Sequence, residues 1–271
     1  MRSFIRTAGP ADATRTLILV NGGPGYDSQQ VFRAFRRLTT PTRRVVAYDQ
    51  RGVGRTPAPR RQDYSLDAFV ADLEALRIRL GVERIDLLGH SFGALIASAY
   101  TAAHPRRVRS LILHSGLPLA VEAQYEGDAR FEQRLLRLQR RGAVPTVVPE
   151  RCALRNRALL PVYLADPRRA VAVRSALGPF RCDDDVGRIS NESIVSGSRR
   201  DQLALALARY RGPALVVMGA RDPFGSAWAD DNAAPLRNAR VTKRILPNAG
   251  HFLWLESPAL FPALRAFLAT T

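Results

Sequence analysis

The chain is expected to adopt an α/β fold: a mostly parallel central sheet flanked by helices, with a helical lid inserted before the last two strands. Three observations predict it. Short apolar or β-branched runs recur at TLILV (16–20), RVVAYD (44–49), IDLLG (85–89), SLILH (110–114), ALVVMG (214–219) and KRILP (243–247). Near-continuous apolar runs of this length suit strands covered on both faces of a parallel sheet. Helical patterns lie between them, and one long stretch breaks the alternation with helices alone.

The helical signal is clearest in SLDAFVADLEALRIRLG (65–81), where Leu66, Phe69, Val70, Leu73, Leu76 and Leu80 fall on one face. Ser65 is a suitable N-cap and Gly81 a suitable stop. Strand–helix–strand repetition implies right-handed crossovers, and ligands of such sheets bind beyond the carboxyl ends of the strands. From Leu117 to Arg199 the pattern reads as helices separated by Gly and Pro, in RFEQRLLRLQRRG, RNRALLPVYLADP and RRAVAVRSALGP. An unstructured loop of roughly 80 residues is rare in a compact domain, so this stretch is expected to be a lid. The expected division is a core of residues 1–116 and 200–271 with a cap over 117–199.

The 271 residues can bury one large core. No run approaches the roughly 18 apolar residues of a membrane span, and the N-terminus lacks a secretory pattern, so a soluble, cytoplasmic protein is expected, with no membrane partner. Cys152 and Cys182 show no metal spacing and are expected to be reduced thiols, with a bridge across the insertion as the alternative. The net charge of +17 is spread along the chain almost entirely as arginine. With no nucleic-acid-binding motif beside it, the charge is read as compositional, and no nucleic-acid partner is expected.

The strongest motif follows the third of these runs. In DLLGHSFGALIASAY, Gly89, His90, Ser91, Phe92 and Gly93 form G-x-S-x-G between an apolar strand and an apolar helix. Such an elbow exposes a nucleophilic serine at the carboxyl edge of the sheet, and the flanking glycines admit neighbouring backbone. A serine needs a base, and the base an orienting acid. Of four histidines, His90 lies in the elbow, His104 ends a helix, and His114 ends a strand far from the expected base loop. His251 remains, in NAGHF between the last strand and the final helix. Asp222, in GARDPFG, lies 29 positions earlier, just past the preceding strand; Asp230 and Asp231 lie further from the strand end. The order Ser91, Asp222, His251 is the nucleophile–acid–base order of α/β-hydrolases. NGGPG (21–25) then has a purpose, since acyl transfer needs backbone N–H donors at the developing oxyanion. The donors are expected to be the amides of Gly23 and Phe92.

With these motifs the chain resembles the α/β-hydrolases, and among them the proline iminopeptidase-like peptidases. NGGPG is similar to that group's HGGPG, and YDQRGVGRT (48–56) to its DQRGxGxS. The resemblance spans roughly 16–116 and 211–258 and is weak in the lid. It implies hydrolysis of a peptide or amide whose N-terminal residue is small or prolyl, without cofactor or metal. Asn21 replaces the usual histidine, with an amide able to brace the turn. GHSFG stands where GGSWG is more usual, and only RSFIRTAG precedes the first of these runs, so one N-terminal strand is expected to be missing. An exopeptidase must recognise a free amine, and the lid segment VEAQYEGDARFEQ offers Glu122, Glu126, Asp128 and Glu132, with Glu126 the first choice. Ahead of that role, these carboxylates read as solvated helix charges pairing with the many arginines. RCDDDVG (181–187) is expected to be a surface loop. Arg51 is expected to pair internally, with Arg51 or Arg55 as an alternative carboxylate binder, and Phe252 and Trp254 as acyl-pocket walls or core. An esterase, thioesterase or lactonase of a small metabolite, or a non-hydrolytic cyclase or binding protein, are the alternatives.

Overall fold

The computed structural model describes residues 3–59, 63–194 and 197–271. Its sheet is built of β1 (Ile5–Ala8), β2 (Arg15–Val20), β3 (Arg43–Tyr48), β4 (Ile85–His90), β5 (Val108–His114), β6 (Pro213–Gly219) and β7 (Arg240–Leu246). Their spatial order is β1-β3-β2-β4-β5-β6-β7. All neighbours are parallel except β1, which runs antiparallel along β3 with Ile5 opposite Tyr48. β1 lies within the RSFIRTAG segment, where no strand was expected: four half-exposed residues at a sheet edge carry little apolar signal.

The helices are α1 (Gln29–Phe35), α2 (Leu66–Arg79), α3 (Phe92–Ala103), α4 (Val121–Arg140), α5 (Cys152–Tyr163), α6 (Ala170–Leu177), α7 (Asp184–Ile194), α8 (Gly197–Leu207), α9 (Trp228–Ala233), α10 (Leu253–Glu256) and α11 (Leu260–Ala269). Side chains alternate across a strand, so one sheet builds two cores. Ile18 and Val20 of β2 join Leu87, Leu111 and Val216 on the face covered by α2, α3 and α8. Leu17 and Leu19 join Leu88, Ile112 and Val217 on the face covered by α1 and α11. In α2 the Ser65 hydroxyl accepts the Ala68 N–H at 3.3 Å, and Gly81 ends the helix at φ 66°.

The helical insertion expected as a lid lies between β5 and β6 and comprises α4 to α7, with Val186 of α7 joining the main core. α8, whose first residues fall inside the expected lid, packs on α3 in the main core. Among the described residues no helix is long and apolar enough to cross a membrane. The expectation of free thiols is overturned: Cys152 and Cys182 form a disulfide with Cα atoms 6.3 Å apart. Thirty positions separate them in sequence, and only packing of the start of α5 against the segment before α7 brings them together. RCDDDVG is likewise more than a surface loop. The Asp183 carboxylate accepts the Val186 N–H at 2.9 Å, capping α7, and Asp184 accepts the Cys152 N–H at 2.7 Å at the start of α5.

Candidate active site

The elbow is dictated by glycines. A Cβ on Gly89 would sit 2.3 Å from the Gly93 carbonyl oxygen, and one on Gly93 would sit 2.2 Å from that of Val20. Between them Ser91 holds φ 54°, ψ −123°, a conformation costly for a side-chain-bearing residue. Three backbone bonds hold it there: the Ser91 N–H donates to His114 O at 3.1 Å, while Ser91 O accepts from Ala94 and Leu117. The serine sits at the N-terminus of α3, where unpaired N–H groups and the helix dipole favour negative charge.

His251 and Asp222 come from loops after adjacent strands. Their side chains meet at 2.9 Å, Nδ1 to Oδ2, with the histidine 3% and the carboxylate 0% exposed. The other Asp222 oxygen accepts the Phe224 N–H at 3.2 Å. Asp230, by contrast, pairs with Lys243 at the surface. Ser91 and His251 line one cavity of about 190 Å³, floored by Gly22 and Gly23. Gly23 has φ 133°. Asn21 braces this loop as its amide allows, donating from Nδ2 to Gly22 O at 3.1 Å and Tyr26 O at 2.5 Å. Phe92 turns its ring away onto Phe69, leaving only its backbone to face the elbow.

The end of α5 holds the His251 loop directly. His251 N–H donates to Tyr163 O at 2.8 Å, at the end of α5. Glu256 bridges the same junction, accepting from Gly250 N–H at 2.9 Å and Ala165 N–H at 2.7 Å. Burial pushes the Glu256 carboxyl up from its ordinary range. Neither Tyr163 nor Glu256 stood out in the sequence, because neither belongs to a local motif. The Asp222 loop is tied to α4 by a stack of Phe131, Phe224 and Trp228, whose centroids lie 5.1 and 4.6 Å apart. Gly127 permits this, since a Cβ there would meet the Trp228 indole at 2.4 Å. The segment YEGDARF thus packs through its glycine and phenylalanine. The carboxylates of α4 face outward: Glu122 and Glu126 are exposed and absent from the cavity wall, and Glu126 pairs with Arg130 at 3.2 Å.

Phe252 and Trp254 do line the cavity. Trp254 also packs edge-on against His90 at 4.7 Å and near His114 at 5.5 Å. His114 is therefore close to the site, contrary to its expected remoteness: β5 neighbours β4, and its last residue lies beneath the elbow. The two rings face each other Nδ1 to Nδ1 at 2.9 Å. Burial, reinforced by nearby histidines, drives His90 well below its ordinary pKa and pushes His114 down to about 3, so both are neutral. Arg51 is internal, donating to Asp72 at 2.7 Å and to the Asp63 and Ala68 carbonyls. Among the described residues no cluster of His, Cys, Asp and Glu could hold a metal.

Residues 15–167 match the alpha/beta hydrolase fold family. Over 282 aligned positions the chain is 28% identical to the proline iminopeptidase of Levilactobacillus brevis, covering 97% of this chain and 91% of the relative. The proline iminopeptidase-related protein of Thermus thermophilus superposes with a TM-score of 0.71 at 28% identity, covering 99% of this chain and 98% of that one. A meta-cleavage product hydrolase of Pseudomonas fluorescens IP01 shares the fold at 18% identity, with a TM-score of 0.70 over 99% and 94% of the chains. The chain belongs to the alpha/beta hydrolase fold family, related to its proline iminopeptidase branch, and is an enzyme of the peptidase or esterase type.

Proposed function

We propose that the protein is a serine hydrolase that cleaves a small amide or ester through an acyl-enzyme on Ser91. The observation that carries this reading is the buried His251–Asp222 pair opening into the same cavity as a serine held on a strained strand-to-helix elbow. Ser91 Oγ attacks the carbonyl carbon as His251 takes its proton. Asp222 holds the His251 tautomer and offsets the imidazolium charge that develops. The Gly23 and Phe92 amides receive the oxyanion. His251 returns the proton to the leaving group, and a water activated by the same residue releases the acid.

Two substrate classes fit this chemistry. Aminopeptidase action of the proline iminopeptidase kind draws its support from the relatives. Cleavage of an ester, thioester or lactone draws its support from the cavity wall, where the only carboxylate among the described residues is Asp27, itself 1% exposed and occupied by the Gln29 N–H and Arg6. No solvated carboxylate of the described residues waits there for a free amine, so the geometry favours the second class. A fluorophosphonate should add one adduct, at Ser91, and none in Ser91→Ala. The same preparation should then be offered Pro-, Ala- and Leu-4-nitroanilides, their N-acetyl forms and short 4-nitrophenyl esters. Turnover confined to free-amine anilides would reverse the choice between the classes, and an unlabelled Ser91 would remove the hydrolase reading itself.

A further inference from the structure

The lid wall of the cavity is cationic. Arg157 of α5 and Arg174 of α6 both line it, in the same cavity as Ser91 and His251. Both are solvent-exposed, and neither guanidinium makes a hydrogen bond or ion pair with another described residue. This distinguishes them from neighbouring arginines: Arg155 is paired with Asp184, and Arg134 donates to the Val162 and Leu164 carbonyls. A third guanidinium approaches the same rim, since Arg33 of α1 packs over Gly178, itself a cavity residue. Beside it a shallower cavity, sharing Gln30, Leu177 and Trp254 with the first, is lined by Arg33 and Arg37. Against these cations the described cavity wall sets only Asp27. Burial raises that carboxyl's pKa, and the charge of Asp49 raises it further.

Unpaired guanidiniums at the mouth of a site suit a planar anion, which they can meet with paired N–H donors. We propose that the cavity selects a substrate carrying a carboxylate on the lid side of its scissile carbonyl, bound by Arg157 and Arg174. This inference rests on the hydrolase reading above and names its substrate class: small esters or amides with a distal carboxylate. The anion stays outside the bond-breaking step. One acyl bond is broken by one water, giving a carboxylic acid and an alcohol or amine, while the arginines position the carbonyl over Ser91. The net charge of +17 adds long-range attraction in the same sense.

The test compares 4-nitrophenyl hydrogen glutarate with its neutral methyl ester. The expected kcat/KM ratio favours the carboxylate by roughly tenfold or more, each arginine contributing at the level of a charge-assisted hydrogen bond. The preference should lie mainly in KM and fall with added salt. In R157Q/R174Q the ratio should collapse toward one, and in R157E/R174E it should invert. A wild-type ratio of one or below, or a ratio unmoved by the double substitution, would overturn the inference. Failure of the hydrolase reading looks different: Ser91 unlabelled by fluorophosphonate and neither ester cleaved. In that case calorimetric binding of glutarate decides. Binding weakened roughly tenfold in R157Q/R174Q supports the inference, and absent or unchanged binding rejects it.

Discussion

Replacing the Cys152–Cys182 bridge by serines tests how the lid is fastened. The two cysteines are separated by 30 positions. Closing a loop of that length restricts the unfolded chain by about 3.5 kcal/mol in the chain-entropy account. The native state keeps other fastenings on the same segment. Asp27 N–H donates to Arg181 O and Asp183 N–H to Gly25 O, each at 2.9 Å, joining the glycine loop to the chain beside Cys182. Asp184 still caps α5. The loss should therefore fall mostly on the unfolded side. With an unfolding entropy near 2.1 cal/mol/K per residue, the midpoint of C152S/C182S should drop by about 6 °C. Calorimetry of the variant and of the wild type with and without dithiothreitol measures this. A smaller effect is expected on KM, which should rise severalfold, because Phe180 and Tyr26 pack together at 5.4 Å across this junction and both line the cavity. Two titratable thiols in untreated folded protein, or an unchanged midpoint in the variant, would refute the reasoning.

Three further outcomes are expected. Asp222→Asn should lower kcat by about 10³ to 10⁴, because an amide no longer stabilises the imidazolium or fixes its tautomer; steady-state rates within tenfold of wild type would remove Asp222 from the role. Gly93→Ala should cost roughly 3 kcal/mol or more, since its Cβ meets backbone oxygens of Val20 and Asn21 at 2.2 and 2.6 Å. Gly81→Ala, with open space around its Cβ but φ 66°, should cost about 1 kcal/mol, and equal urea midpoints for the two variants would contradict this. Acid should destabilise the fold through His114. Its native pKa lies at about 3, below the ordinary 6.5, so between these values the unfolded chain binds a proton that the native chain refuses. Stability from this group is full above pH 6.5 and declines toward pH 3, at up to about 1.4 kcal/mol per pH unit. His114→Asn should flatten that slope in denaturation curves, and an identical slope would assign it elsewhere.

Much of the architecture was legible because it is local. Buried strands such as LILV and VVMG are nearly all apolar, and the α2 stripe repeats at helical spacing, so each element declares itself within its own residues. The elbow was legible because its motif is contiguous, although only Gly89 answers to nearby backbone, at Gly93 and Ala94, while Gly93 answers to Val20 and Asn21 at the end of the adjoining strand. His251 and Asp222 were reached through chain order, which follows from strands delivering their loops to one edge of the sheet. β1 was missed because an edge strand needs no apolar run.

What only the tertiary structure decided concerns pairs whose partners are distant in sequence. The bridge between Cys152 and Cys182, the His90–His114 contact, and the Glu256 clamp between Gly250 and Ala165 each join separate elements. The acidic segment of the lid had suggested amine recognition. Yet helix rotation sends Glu122 and Glu126 to solvent and turns Gly127 inward against Trp228. The charge of the cavity was likewise hidden among 41 basic residues. Composition counts charges, but the packing of α5 and α6 selects which of them line the cavity.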